Sequence, residues 1–121
     1  MMNPILQVAL GGAAGSVARY GVTRAAAAVS PGFPLGTLIV NVAGSLAMGL
    51  LAAALLPRAG AHVPLLMTGL LGGFTTFSAF SLDAVTLWTR GAQGLAVGYV
   101  AASVALSLAA LALGLSLGRP A

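Results

Sequence analysis

The 121-residue sequence predicts an all-α membrane protein, a single four-span domain whose third transmembrane helix is interrupted near its centre. Three observations predict it. Hydrophobic residues make up 60% of the chain and charged residues 5%, where soluble domains average about 25% charged. Five arginines and one aspartate cannot solvate a globule of this size. The charge-free stretches, residues 1–18, 25–57, 59–82 and 91–118, are long, and a helix needs about 20 apolar residues to cross the hydrocarbon core. The third of them carries two glycines and then four hydroxyl residues in mid-run, a sequence that breaks a helix without any loop being due there. No room is left for a soluble catalytic domain.

Span one covers about residues 4–28. It begins after Met1-Met2-Asn3, which lacks the basic region of a secretory signal, and its apolar run exceeds the usual signal length, so it reads as a retained span. Ser30-Pro31-Gly32-Phe33-Pro34 is a loop, punctuated by two prolines and a glycine. Span two covers about 35–56 and is stopped by Pro57-Arg58-Ala59-Gly60. Span three covers about 63–89, with Pro64 suited to a first helical turn, and Arg90-Gly91 marks a short connection. Span four covers about 95–117, and Gly118-Arg119-Pro120-Ala121 follows it. Such short connections make neighbouring spans antiparallel. Gly11 and Gly15, and Gly69 and Gly73, are small-xxx-small pairs that let helices approach closely in lipid.

The charge pattern excludes several classes of function. The arginines are single and far apart, so no basic stripe exists to neutralise successive phosphates, and nucleic acid is not an expected partner. Cysteine is absent, which removes disulfides, thiolate metal sites and a cysteine nucleophile. No cluster of His, Asp and Glu, no nucleophile with a base and no phosphate loop is present, so catalysis is not expected. With four spans, Arg58 and Arg119 fall on the side of the N-terminus, and Arg24 and Arg90 on the other, with Arg19 near that same end of span one. Arginine asymmetry normally sets orientation, and here it is almost nil. The chain can therefore insert both ways and pair with an inverted copy; a single, weakly signalled topology is the other reading.

Polar side chains inside spans mark function, because each is costly in lipid unless it faces protein or water. In span two, Thr37, Asn41, Gly44, Ser45 and Met48 share one helical face. Asn41 is the costliest of them; its amide supplies two N–H donors and one carbonyl. In span four, Tyr99, Ser103 and Ser107 repeat every four residues and form a hydroxyl stripe. In span three, the run Gly72-Gly73-Phe74-Thr75-Thr76-Phe77-Ser78-Ala79-Phe80-Ser81 lies at membrane depth. Broken backbone is tolerated there only against protein or a hydrated cavity, and unwound carbonyls can coordinate cations. Two breaks in an inverted pair would meet on the symmetry axis and could hold a cation jointly. Phe77 and Phe80 share a face; aromatic edges are electropositive and would favour an anion while excluding bulk water. The sole acid, Asp83, lies past the break. Donors, aromatic edges and arginines near the span ends complement an anion, and Arg19 would draw one inward. His62 is a loop residue with no assigned role.

These residues resemble the Fluc (CrcB) family of fluoride channels over essentially the whole chain. Gly11-Gly12-Ala13-Ala14-Gly15-Ser16-Val17-Ala18-Arg19-Tyr20 is similar to the family's first-span signature. Gly36-Thr37-Leu38-Ile39-Val40-Asn41-Val42-Ala43-Gly44-Ser45 resembles its GTLxVNxxGS motif, and residues 72–83 resemble its GGFTTFSTFSxE motif. Two positions depart: Ala79 stands for a hydroxyl residue and Asp83 for glutamate. The resemblance implies an antiparallel, dual-topology homodimer in the plasma membrane of a prokaryote, surrounded by membrane lipid, with two fluoride pores and a central structural Na⁺. It implies that the backbone carbonyls of Gly72 and Thr75 hold the sodium and that Asn41, Phe77 and Phe80 line the pore. Tyr99, Ser103, Ser107 and Thr37 would add polar contacts, and Arg19 would sit near a vestibule. Fluoride would leave the cytoplasm passively. A small dual-topology, proton-coupled drug or cation exporter is the alternative; it needs a membrane-embedded glutamate in the first span, and this chain has none.

Overall fold

The computed structural model describes residues 2–58 and 60–119, so Ala59, Pro120 and Ala121, in the expected second-span stop and the tail, lie outside the described residues. Every element of the described chain is helical. Helix α1, Pro4–Val29, starts where the Asn3 side chain accepts the Ile5 N–H at 2.8 Å and Pro4 fills the first turn. Its end meets the proline-punctuated loop at residues 30–34. Helix α2, Leu35–Leu55, tightens into a single 3₁₀ turn, Leu56–Arg58.

The third span is built in two pieces. A wide π-type helix, Pro64–Leu71, runs into one α-turn, Gly72–Phe74, and we label the two together α3. After the break at residues 75–77 comes α4, Ser78–Thr89. The break therefore falls at the third span's midpoint. The α4–α5 turn is closed by Gly91, whose φ of 94° only glycine adopts cheaply. There the Ala92 N–H reaches the Leu87 carbonyl and the Gly91 N–H the Trp88 carbonyl, which satisfies the last carbonyls of α4. Helix α5, Gln93–Gly118, ends the described chain.

Three stretches, Leu35–Arg58, Pro64–Thr89 and Gln93–Gly118, are long and apolar enough to cross a membrane. This is a multi-pass membrane protein. Helix α1 has the same length as α5, 26 residues, but carries Arg19 and Arg24 and does not reach the same apolarity.

Glycine sets which helices touch. A Cβ at Gly11 or Gly15 would run into the backbone of α3 around Leu65 and Leu70, and one at Gly73 into the Gly12 carbonyl. The two expected small-xxx-small pairs thus pack on each other. Helices α2 and α5 meet at a pair that spacing did not single out, Gly49 and Gly114, each of whose added Cβ would lie 3.0 Å from the other's Cα. Buried Gln7 ties α1 to α3: its Oε1 accepts the Leu65 N–H at 3.2 Å, and its Nε2 donates to the Met2 carbonyl. That N–H opens the third span and has no partner within its own helix.

Candidate functional site

The break is held open by a side chain from another span. Asn41, half-buried on α2, donates from Nδ2 to the Thr76 carbonyl at 2.9 Å and accepts the Thr76 N–H on Oδ1 at 2.8 Å. One amide thus satisfies both the N–H and the C=O of a residue that the helix would otherwise use, and local sequence favours the exchange because glycine and β-branched threonine are weak helix formers. Thr76 also restarts the helix, since its Oγ1 accepts the Ala79 N–H at 3.1 Å. Thr75 turns extended, at φ −90° and ψ 160°, while its hydroxyl donates back to the Leu71 carbonyl at 2.9 Å.

Arg19 reaches the other side of the break. Its Nε donates to the Gly73 carbonyl at 3.0 Å, which places a cation at the C-terminal, electronegative end of α3. Among the described residues the Gly72 and Thr75 carbonyls accept no hydrogen bond, and Gly72 is exposed on the face of the single chain.

An open groove of about 400 Å³ lies between the break, α2 and α5. It gathers Asn41, Thr75, Phe77, Phe80, Ser103 and Ser107. Phe80 is 8% exposed and Phe77 77%, with ring centroids 5.5 Å apart. The Ser103 Oγ is buried at the groove and has no hydrogen-bond partner among the described residues. A buried hydroxyl without a partner costs about 1–3 kcal/mol, which an acceptor in the groove, or the carbonyl one turn back, would relieve.

Two residues of the expected polar stripes stand apart. Thr37 lines a second cavity of about 320 Å³, with Asp83, Thr86, Arg90 and the loop at residues 30–34. Tyr99 lines neither cavity: it is fully buried, packs against Phe80 at 5.3 Å, and donates its hydroxyl to Asp83 Oδ2 at 3.0 Å. Phe80, which lines the groove, and Tyr99, which contacts Phe33 and Asp83 of the Thr37 cavity, thus stack between the two. Sequence reasoning passed over Gln7, Phe33 and Arg90. Gln7 carried a signal, as an amide inside a span; Phe33 and Arg90, in a loop and at a helix end, carried none.

A model of the family described as CrcB-like protein, Camphor Resistance (CrcB) matches residues 6–115. A Paracoccus denitrificans protein named fluoride-specific ion channel FluC is 64% identical over 98% of this chain and 97% of its own length. Proteins of the same name from Chelativorans sp. and Agrobacterium fabrum are 54% and 52% identical, each over 98% of both chains. With the match spanning every helix and the break they enclose, the chain belongs to the CrcB family.

Proposed function

We propose that this protein is a fluoride-selective channel giving passive efflux of cytoplasmic fluoride across a prokaryotic plasma membrane. It works as an antiparallel homodimer of four-span chains with two pores and a central sodium ion. The observation that carries the reading is the groove at the break, where amide, hydroxyl and ring-edge donors converge and no acid intrudes; relatives bearing the fluoride-channel name support it.

Fluoride is small and tightly hydrated, so a pore must replace its water with firm hydrogen-bond donors. Asn41 keeps one Nδ2 hydrogen beyond the one given to Thr76. Ser103 has a buried hydroxyl with no other acceptor, and Ser107 adds another on the same wall. The edges of Phe77 and Phe80 add weak positive potential without drawing in water. Arg19 raises the local anion concentration near the break. Helix α1, tied along its length to α3, forms the remaining span.

Phe77, exposed at membrane depth, and the open groove favour a second copy lying against this face. The free carbonyls of Gly72 and Thr75 suit a hard monovalent cation, at the electronegative end of α3. Two carbonyls from one chain would leave such an ion under-coordinated, and the same pair from an inverted copy would supply further ligands. When bound, sodium neutralises carbonyl dipoles that lipid cannot.

Fluoride efflux from sodium-containing proteoliposomes, followed with a fluoride electrode, tests the reading. Wild-type protein should release fluoride, and Phe77→Ile and Phe80→Ile should each slow release roughly tenfold or more, the factor carried by about 1.4 kcal/mol. Absence of wild-type efflux would sink the channel; unchanged efflux in both variants would demote the rings to packing.

A further inference from the structure

The loop at residues 30–34 forms one wall of the second cavity, and that wall is fastened at two points. Arg90, at the end of α4, donates from Nη2 to the Gly32 carbonyl at 2.8 Å. Among the described residues this is the one hydrogen bond tying the loop to the α4–α5 hairpin. Phe33 meets Tyr99 edge to face, at 5.5 Å and 90°. Tyr99 packs on Phe80 and Phe80 on Phe77, so four rings run in contact from the loop to the groove. Pro31 and Pro34 stiffen the loop, which lets one latch govern its position as a body.

We propose, resting on the channel reading, that Arg90 and Phe33 are positioning residues. Arg90 latches the loop against the cavity that contains Thr37, and Phe33 thereby holds Tyr99 against Phe80. Neither side chain touches the groove, and their effect on the ion is transmitted through the stacked rings. The Tyr99 hydroxyl is anchored on Asp83 from the cavity side, so the tyrosine is braced on its edge by Phe33 and at its tip by Asp83. With the latch released, the ring series loses its outer support and the cavity widens around Thr37.

The chain contains no cysteine, so a single introduced thiol reports on the latch without background. Thr37→Cys in detergent-solubilised dimer should react slowly with a charged methanethiosulfonate. Adding Arg90→Gln should speed labelling about tenfold, the scale of a lost charge-assisted hydrogen bond, and Arg90→Lys should return the rate to within about threefold of the parent, because an ammonium can still donate to one carbonyl. Phe33→Ala should speed labelling as Arg90→Gln does. Should Thr37→Cys fail to assemble, Thr23→Cys on the same cavity serves instead, since its hydroxyl bonds only carbonyls of its own helix. Labelling unchanged by Arg90→Gln overturns the proposal, as does acceleration that Arg90→Lys fails to reverse. Labelling requires no transport, so a dimer that carried no fluoride would still report the latch, and the two readings fail separately.

Discussion

Asn41 spends one Nδ2 hydrogen and its Oδ1 on the C=O and N–H of Thr76, and only the remaining hydrogen is free for an ion. In the proposed channel, structural and conductive roles would therefore meet in one amide. Asn41→Asp replaces a donor facing the Thr76 carbonyl with an acceptor, so flux should vanish and stability should fall by about 1–3 kcal/mol; proteoliposome efflux and chemical unfolding measure the two. Ser103 separates what Asn41 combines. Its buried hydroxyl lacks a partner, so Ser103→Ala should leave stability unchanged or raise it by up to about 1 kcal/mol while slowing fluoride. A variant that loses stability along with flux would show that the hydroxyl is bonded in the fold. That Asn41, Phe77 and Phe80 would lie together was legible from polarity and spacing. Their contacts were not, because residues 35 positions apart meet only once two helices have set their mutual rotation.

At the scale of elements, the molecule is held by backbone brought close to backbone. Helices in lipid gain nothing from hiding apolar surface from one another, so packing and small residues must hold them together. Gly49 and Gly114 carry this between α2 and α5. Gly49→Ala puts a methyl 2.8 Å from the Leu115 nitrogen and 3.0 Å from the Gly114 Cα, which should cost about 1–3 kcal/mol. Gly94→Ala, with nothing within 4 Å of the new methyl, should be neutral or mildly stabilising. Unfolding of both variants in the same detergent makes the comparison. The broken span follows the same economy: Gln7 satisfies its first turn and Arg19 its middle carbonyl, both from α1, and Asn41 of α2 satisfies the N–H and C=O of Thr76. Helix lengths and the position of the break were legible because apolar run length and weak helix formers act locally. The π-type winding of Pro64–Leu71 was not, since nothing in those eight residues but close contact with α1 distinguishes them from an ordinary helix.

For the whole molecule, a single chain leaves free carbonyls at membrane depth, which lipid cannot satisfy, beside an exposed phenylalanine. An inverted partner and a shared sodium ion would cover both. Exchanging sodium for N-methylglucamine should then lower the dimer's melting temperature and raise the monomer fraction, read by thermal unfolding and by crosslinking in detergent. A dimer indifferent to the exchange would remove the ion from the interface.

Run length, composition and the order of its motifs were enough to determine a membrane chain with a broken third span and an anion-friendly set of side chains, since each depends on neighbours in sequence. Tertiary structure alone decided that Thr37 leaves the groove for a second cavity, that Tyr99 becomes a wall, and that Arg19 turns onto the Gly73 carbonyl. Helical periodicity assigns residues to a stripe, but the angle and depth at which helices cross decide where along that stripe a passage opens and where a ring closes it.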